Sequence, residues 1–277
     1  MALHEVFSLM LVPRNVRTVF QPIVAVGGGA ATLHSVECLT RTPADVSHVS
    51  PQDLFDHARN VGAEALLDRS CVVAALRAAG KLQGQFRVSV NVHASTLAAD
   101  ADLPVFIAET STDCGIALAR LTVEIVEHSP PHGVKAFRTA LAKLRAFGML
   151  VAIDDIGLGY SNFRMIVDAQ ADYFKIDRYF VSGIERDPYR FAVLESVAKL
   201  AQKVDARVIA EGIETASELA YVLEAGIDLA QGFYFSEPLT PERLQEHPML
   251  EGSHAPHGSS LGFGSRSTRY SAGSVAQ

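Results

Sequence analysis

The chain is 277 residues long, 48% hydrophobic, and carries 24 basic against 31 acidic side chains, a formal net charge of -7. That composition supports a sizeable core and gives no general attraction for duplex nucleic acid, so a phosphate-bearing ligand would need a local cation. Cys38, Cys71 and Cys114 form no CxxC pair, no apolar stretch has the length of a membrane span, and no basic region with a cleavage site opens the chain; neither a disulfide scaffold, a zinc knuckle nor a membrane span is expected, and a cytoplasmic location is.

Residues 1–14 read as an N-terminal extension. Short apolar runs follow: VFQPIVAV (19–26), HSVECLT (34–40), RVSVNVH (87–93), LTVEIVE (121–127), LVAIDDI (150–156), YFKID (173–177), RVIAEGI (207–213) and LAQGFYF (229–235). Helical patterns separate most of them. In VKAFRTALAKLRAFG, Val134, Phe137, Leu141 and Leu144 share a helical face, and Gly148 sits where a C-terminal cap belongs. Strands alternating with helices imply a parallel sheet, and eight such strands match a (β/α)8 barrel of about 250 residues. The first two runs are joined only by GGGAATL, which contains Gly27, Gly28 and Gly29 and is too short for a helical crossover, so that pair should be an antiparallel hairpin. The expected fold is a modified (β/α)8, TIM-like barrel with an antiparallel first strand over residues 15–248. A flexible Gly/Ser-rich tail is expected at 249–277.

Every core run after the first carries a polar residue near its C-terminal end: Glu37, Asn91, Glu124, the adjacent Asp154 and Asp155, Lys175, Glu211 and Gln231. Each alone has an ordinary structural explanation as a strand-end acid, an ion-pair partner or a loop-bonding amide. In a barrel, however, these ends converge on one face, where active sites form. Several strands delivering carboxylates to one rim create a surplus of negative charge that divalent cations relieve, and oxygen donors without a His or Cys cluster favour magnesium or manganese over zinc. His93 reads as a rim residue rather than a ligand.

These residues fall into ordered motifs. Gln21 to Val24 form QPIV; Glu37, Cys38 and Leu39 are followed by Arg41; then come VNVHASTL (90–97), EIVE (124–127), DDIGLGYSN (154–162), KID (175–177), AEGIET (210–215) and QGFYFSEPL (231–239). In this series the chain resembles the EAL-domain cyclic di-GMP phosphodiesterases of bacteria over roughly residues 15–242. The resemblance implies a metal-dependent hydrolase that opens cyclic di-GMP to linear pGpG. It implies Glu37, Asn91, Glu124, Asp154 and Glu211 as ligands of a first metal, with Asp155 serving a second. It further implies Lys175 as holder of the attacking water, Gln231 as a support of the site, Gln21, Arg41 and Asp177 as substrate contacts, and Glu127 and Glu214 as supports of the loop after the fifth strand. Two Mg2+ or Mn2+ ions per site, a homodimer and a regulatory protein partner belong to the same expectation.

The chain departs from the family pattern at Cys38, His93, Val126, Ile156 and Leu158, which replace the usual alanine, serine, threonine, phenylalanine and small polar residue. None of these is an expected ligand, so they bear on rate and dimer coupling. Two other readings remain open from the sequence: an inert receptor that binds cyclic di-GMP without cutting it, and an enolase-like barrel, which also pairs lysine with metal-bound carboxylates.

Overall fold

The computed structural model describes residues 1–27, 31–126, 133–158 and 163–251. Gly28 and Gly29 of the first turn, Glu127, Gly159 and the tail from residue 252 lie outside the described residues. The strands are β1 (Arg17–Ala25), β2 (Thr32–Arg41), β3 (Arg87–His93), β4 (Leu121–Val126), β5 (Leu150–Ile156), β6 (Tyr173–Ile176), β7 (Arg207–Ala210) and β8 (Leu229–Ala230), and they close into a barrel in that order. The helices are α1 (Leu3–Met10), α2 (Pro51–Asn60), α3 (Glu64–Ala79), α4 (Ala94–Ala99), α5 (Leu103–Asp113), α6 (Val134–Ala146), α7 (Phe163–Ala169), α8 (Arg178–Val181), α9 (Pro188–Lys203), α10 (Ala216–Glu224), α11 (Pro241–Gln245) and α12 (Pro248–Glu251).

The antiparallel first strand is present: β1 runs antiparallel to β2 and to β8, while the remaining neighbours are parallel. The short glycine-rich connection permits nothing else. In α6, Phe137, Leu141 and Leu144 are buried and Gly148 takes φ +84°, the left-handed cap that the sequence places there.

Strand alternation divides the core. Val36, Cys38, Val88, Val90, Val123, Ile125, Val151 and Ile153 face outward and join the large cluster under the helices. The intervening residues face into the barrel. Ile23, Ala152, Tyr173, Ile209 and Leu229 form an apolar cluster there, with the hydroxyls of Ser35, Ser89 and Thr122 completing the layer on the β2–β4 side. This layer is the floor on which the strand-end polar residues stand, each two residues further along a parallel strand.

Residues 1–14 include α1, whose Val6, Phe7 and Met10 pack with Leu54, Leu67 and Cys71 of α2 and α3 in a separate cluster. At the other end, Leu250 of α12 is buried at 1% exposure, so packed structure continues into the first residues of the expected tail. β7 and β8 are shorter than the apolar runs at 207–213 and 229–235. The chain leaves the sheet at glycines: Gly212 has φ +68°, and a Cβ on Gly232 would lie 2.1 Å from the Ile213 carbonyl oxygen. No helix among the described residues is long and apolar enough to cross a membrane.

One break in the β1–β2 register has an electrostatic effect. Ile23 pairs with Ser35 and Val24 with Leu33, leaving His34 as the extra residue of a bulge. Its ring meets Tyr173 edge-on, with Nε2 3.1 Å from the Tyr173 hydroxyl. Burial, then the charges of Arg207 and Arg87, lower the His34 pKa from 6.5 to about 4. The histidine is therefore neutral in the folded protein but protonates at pH 6.5 when unfolded, so stability declines as pH falls from 6.5 towards 4, by at most about 3 kcal/mol. Urea denaturation should show His34→Gln gaining on the wild type by up to that amount over this window; a pH-independent difference would contradict the assignment.

Candidate active site

The strand-end residues converge on Lys175. This side chain comes from β6, whose Tyr173–Ile176 run is fully buried, and its Nζ lies 3.2 Å from Glu37 Oε2, 3.2 Å from Asp154 Oδ1 and 2.7 Å from Glu211 Oε1, and also contacts Glu124 Oε1. Glu37 is held from two further strands: Asn91 Nδ2 donates to its Oε1 at 3.1 Å and Gln231 Nε2 to its Oε2 at 2.8 Å. All these groups occupy inward positions on consecutive strands or, for Glu211 and Gln231, one residue beyond them, which explains why residues so distant in sequence meet.

The adjacent acids need more than alternation, because neighbours on a regular strand face opposite ways. The β5–β6 register shifts between Ile153 and Ile156, and Asp155 has φ +53°. This bulge lets both carboxylates turn to the same rim. Oxygens of Asp154, Asp155 and Glu211 lie within 4.8 Å of one another, as do those of Glu37, Glu124 and Glu211. Glu211 belongs to both groups. The Asp155 carbonyl accepts from Leu158 N at 3.1 Å, and Gly157, at φ +96°, lies so close to Phe180 that a Cβ would meet its ring at 2.7 Å.

Charge crowding dominates the electrostatics. Burial raises the pKa of Glu124 and Glu211 well above the carboxylate range, reinforced by the neighbouring carboxylates, and raises Asp154 as well. Burial followed by the charges of Asp154 and Asp177 brings Asp155 to about 6. Burial pushes Glu37 the same way, but Lys175 and the two amide donors outweigh it and hold Glu37 below its ordinary value. For Lys175, burial favours the neutral amine, yet the surrounding carboxylates prevail and keep the ammonium. The arrangement is acidic beyond what its lysine neutralises.

Its donor chemistry suits hard divalent cations. Asn91 Oδ1 and Gln231 Oε1 are buried and accept no hydrogen bond, although the amide nitrogens of both residues are engaged by Glu37. Two unpartnered amide oxygens beside overlapping carboxylate triads form an all-oxygen donor set of the kind magnesium and manganese take.

Above the ring opens a cleft of about 270 Å³, lined in part by Gln21, Leu39, Asp177, Arg178, Glu214 and Phe233. Gln21, Asp177 and Gln231 thus share one cleft. Arg41 does not line the cleft; it is half-buried at the end of β2 with Nη1 donating to the Thr40 carbonyl at 2.9 Å. Glu214 accepts at 2.9 Å from Arg178, at the start of α8; Glu127 and residues 159–162 lie outside the described residues. His93 is engaged by Asp68, with 3.0 Å between Nδ1 and Oδ1, and its ring packs at a tilt against Phe55. Ile156 is buried opposite Ile176, and Leu158 closes the turn on Asp155.

The strand-end reading passed over Glu218. Its Oε2 accepts from the amides of Glu214 and Thr215, and its Oε1 from Gly183, tying the loop beyond Glu211 to α10. The signal was available as a capping box, with Thr215 Oγ1 accepting from Glu218 N. Arg178 and Phe233, which follow KID and QG, gave no comparable signal.

A family model described as EAL domain matches residues 7–238. The chain is 31% identical over 80% of its length to the Escherichia coli K12 protein named probable cyclic di-GMP phosphodiesterase PdeG, and 30% identical over 82% to the Pseudomonas aeruginosa cyclic di-GMP phosphodiesterase NbdA. It spans 44% and 29% of the lengths of these two relatives. Klebsiella pneumoniae BlrP1, solved as a calcium/cyclic di-GMP complex at pH 8.0, is similar with a TM-score of 0.73 at 28% identity, covering 83% of this chain and 57% of that one. Its manganese/cyclic di-GMP complex at pH 9.0 gives 0.72 at 26%, covering 86% and 64%.

Removing the central ammonium should expose the charge imbalance directly. Without added metal, Lys175→Met should lose about 3–5 kcal/mol of stability, since it leaves Glu37, the acid held ionised, without its buried cationic partner. Added Mn2+ should recover much of that loss by occupying the carboxylates. A variant as stable as the wild type in chelator would show that Glu37 is not ionised beside Lys175.

Proposed function

The chain belongs to the EAL-domain family, and from that premise we propose that it is a metal-dependent phosphodiesterase hydrolysing cyclic di-GMP to linear pGpG. The observation that carries this reading is the convergence of Glu37, Glu124, Asp154 and Glu211 on Lys175, with the unpartnered oxygens of Asn91 and Gln231 beside them. The substrates named for the relatives from E. coli and P. aeruginosa support the choice of phosphodiester.

Glu37, Asn91, Glu124, Asp154 and Glu211 would hold one divalent ion, and Asp155 with Asp154 a second. Two such ions, Mg2+ or Mn2+, would supply the Lewis acidity that activates a water near neutral pH and withdraws charge from the phosphodiester. Lys175 stays protonated and donates from Nζ to the attacking water and to charge developing on the phosphate. Gln231 steadies Glu37 through its amide N–H. Gln21 and Asp177 meet the nucleotide in the cleft, while Arg41 must release the Thr40 carbonyl to reach a phosphate. Glu214, with Glu127, supports the loop after β5. The barrel at 15–248 carries the activity, with residues 1–14 and 249–277 outside it. The same proposal has the protein acting in the cytoplasm as a homodimer answering a regulatory protein partner.

Incubation with cyclic di-GMP should yield pGpG in Mg2+ or Mn2+ and none in excess chelator. Glu37→Gln should weaken metal binding and turnover together, and Arg41→Ala should chiefly raise KM. Lys175→Met, assayed with metal, should still bind cyclic di-GMP in Ca2+ yet turn over on the order of 10² to 10³ more slowly. Wild-type binding of the intact dinucleotide with no product at any metal concentration would make the protein a receptor instead.

A further inference from the structure

The floor beneath the site is not uniform. Under Lys175, Asp154, Glu211 and Gln231 it is apolar, made by Tyr173, Ala152, Ile209 and Leu229. Under Glu37, Asn91 and Glu124 it is made by Ser35, Ser89 and Thr122, and these hydroxyl residues line a narrow cavity of about 10 Å³ that reaches up to Glu124 itself. Ser89 is 4% exposed, and its Oγ is buried without a hydrogen-bond partner. A buried hydroxyl left unpaired is costly, and nothing in packing alone calls for serine rather than alanine at an inward barrel position.

The cavity has the size and lining of a site for one water. Its volume is about the least that holds one water, and beside the apolar Ile23, Ala152 and Ile209 its lining includes Ser89, Thr122 and Glu124, whose polar groups could bond it. Arg87 and His34 line the same space, and a guanidinium beside it disfavours a second cation. We propose that one ordered water sits in this cavity, bonded to the Ser89 hydroxyl and to the Glu124 carboxylate, and that Ser89 is through it a positioning residue for that metal-binding acid. Glu124 Oε1 is drawn towards Lys175 from above; the water ties the same carboxylate down to β3, so its orientation is set before any cation arrives. This is the role that partners behind a ligand commonly play, with effects of roughly 10 to 100-fold in metal affinity.

The inference rests on the two-metal reading for its consequence, but not for the water. A high-resolution crystal structure should show density bonded to Ser89 Oγ and Glu124. Titration with Mn2+ followed by electron paramagnetic resonance should give Ser89→Val, which fills the cavity, a Kd about 10 to 100 times that of the wild type, with Ser89→Ala weaker than wild type by a smaller factor. Melting temperature in chelator reports on folding alone and should stay close to the wild type for Ser89→Ala, a change that a purely structural role would not separate from affinity. Wild-type Mn2+ affinity in Ser89→Ala and in a folded Ser89→Val, or a cavity without water density, would overturn the inference. Failure of the wild type itself to bind Mn2+ would overturn the proposed chemistry while leaving the water to stand or fall on its density.

Discussion

The site is organised by one unfavourable constraint: acids brought together inside a barrel around a lysine that cannot neutralise them all. Four carboxylates contact Lys175, and burial raises three of them while Glu37 alone is held down by extra donors. In the absence of cations such a cluster lowers its charge by taking up protons. Divalent ions bound there would draw the same oxygens into their ionised form. Lys175 therefore makes the crowded barrel tolerable and presents a fixed ammonium at its rim.

Much of this was legible in the sequence because the barrel obeys a period of two. Residues before Glu37, Asn91, Glu124 and Lys175 are apolar and face the helices, so a polar residue appearing at an inward position near a strand end stood out against its neighbours. The glycine-rich link between β1 and β2 likewise announced its antiparallel geometry by length alone. What alternation could not give were its interruptions. The bulge that turns Asp155 to the side of Asp154, and the one that inserts His34 into the barrel, are register shifts visible only once strands pair. The ends of β7 and β8 were overdrawn for a related reason: apolar residues continue past the sheet into loops that pack on it, and glycine geometry, not hydrophobicity, ends the strand.

Orientation was less legible than position. Arg41 stands at the end of β2 as expected, but its guanidinium rests on the Thr40 carbonyl and not in the cleft. A long side chain with many rotamers takes the nearest acceptor when no anion is present, whereas short acids on a packed strand have little freedom. Glu218 shows the reverse case, a residue whose importance lies in accepting three backbone hydrogen bonds and which a search for strand-end polar groups passes over.

The ladder of inward residues then connects function to folding. Each acid or amide of the site rests on a floor residue of its own strand, so the rim cannot shift without moving the barrel interior. Where the floor is apolar, packing holds the side chain above it by excluding alternatives. Where it is made of hydroxyls, beneath Glu37 and Glu124, packing is weaker and directional bonding must take over. Glu37 and Glu124, which burial raises alike but which end with pKa shifts of opposite sign, both stand over that polar sector. Neighbouring charge and hydrogen bonding, rather than depth, thus separate two equally buried glutamates: one is held in its ionised form by Lys175 together with Gln231 and Asn91, and the other, facing the charge of Glu37, keeps a raised proton affinity.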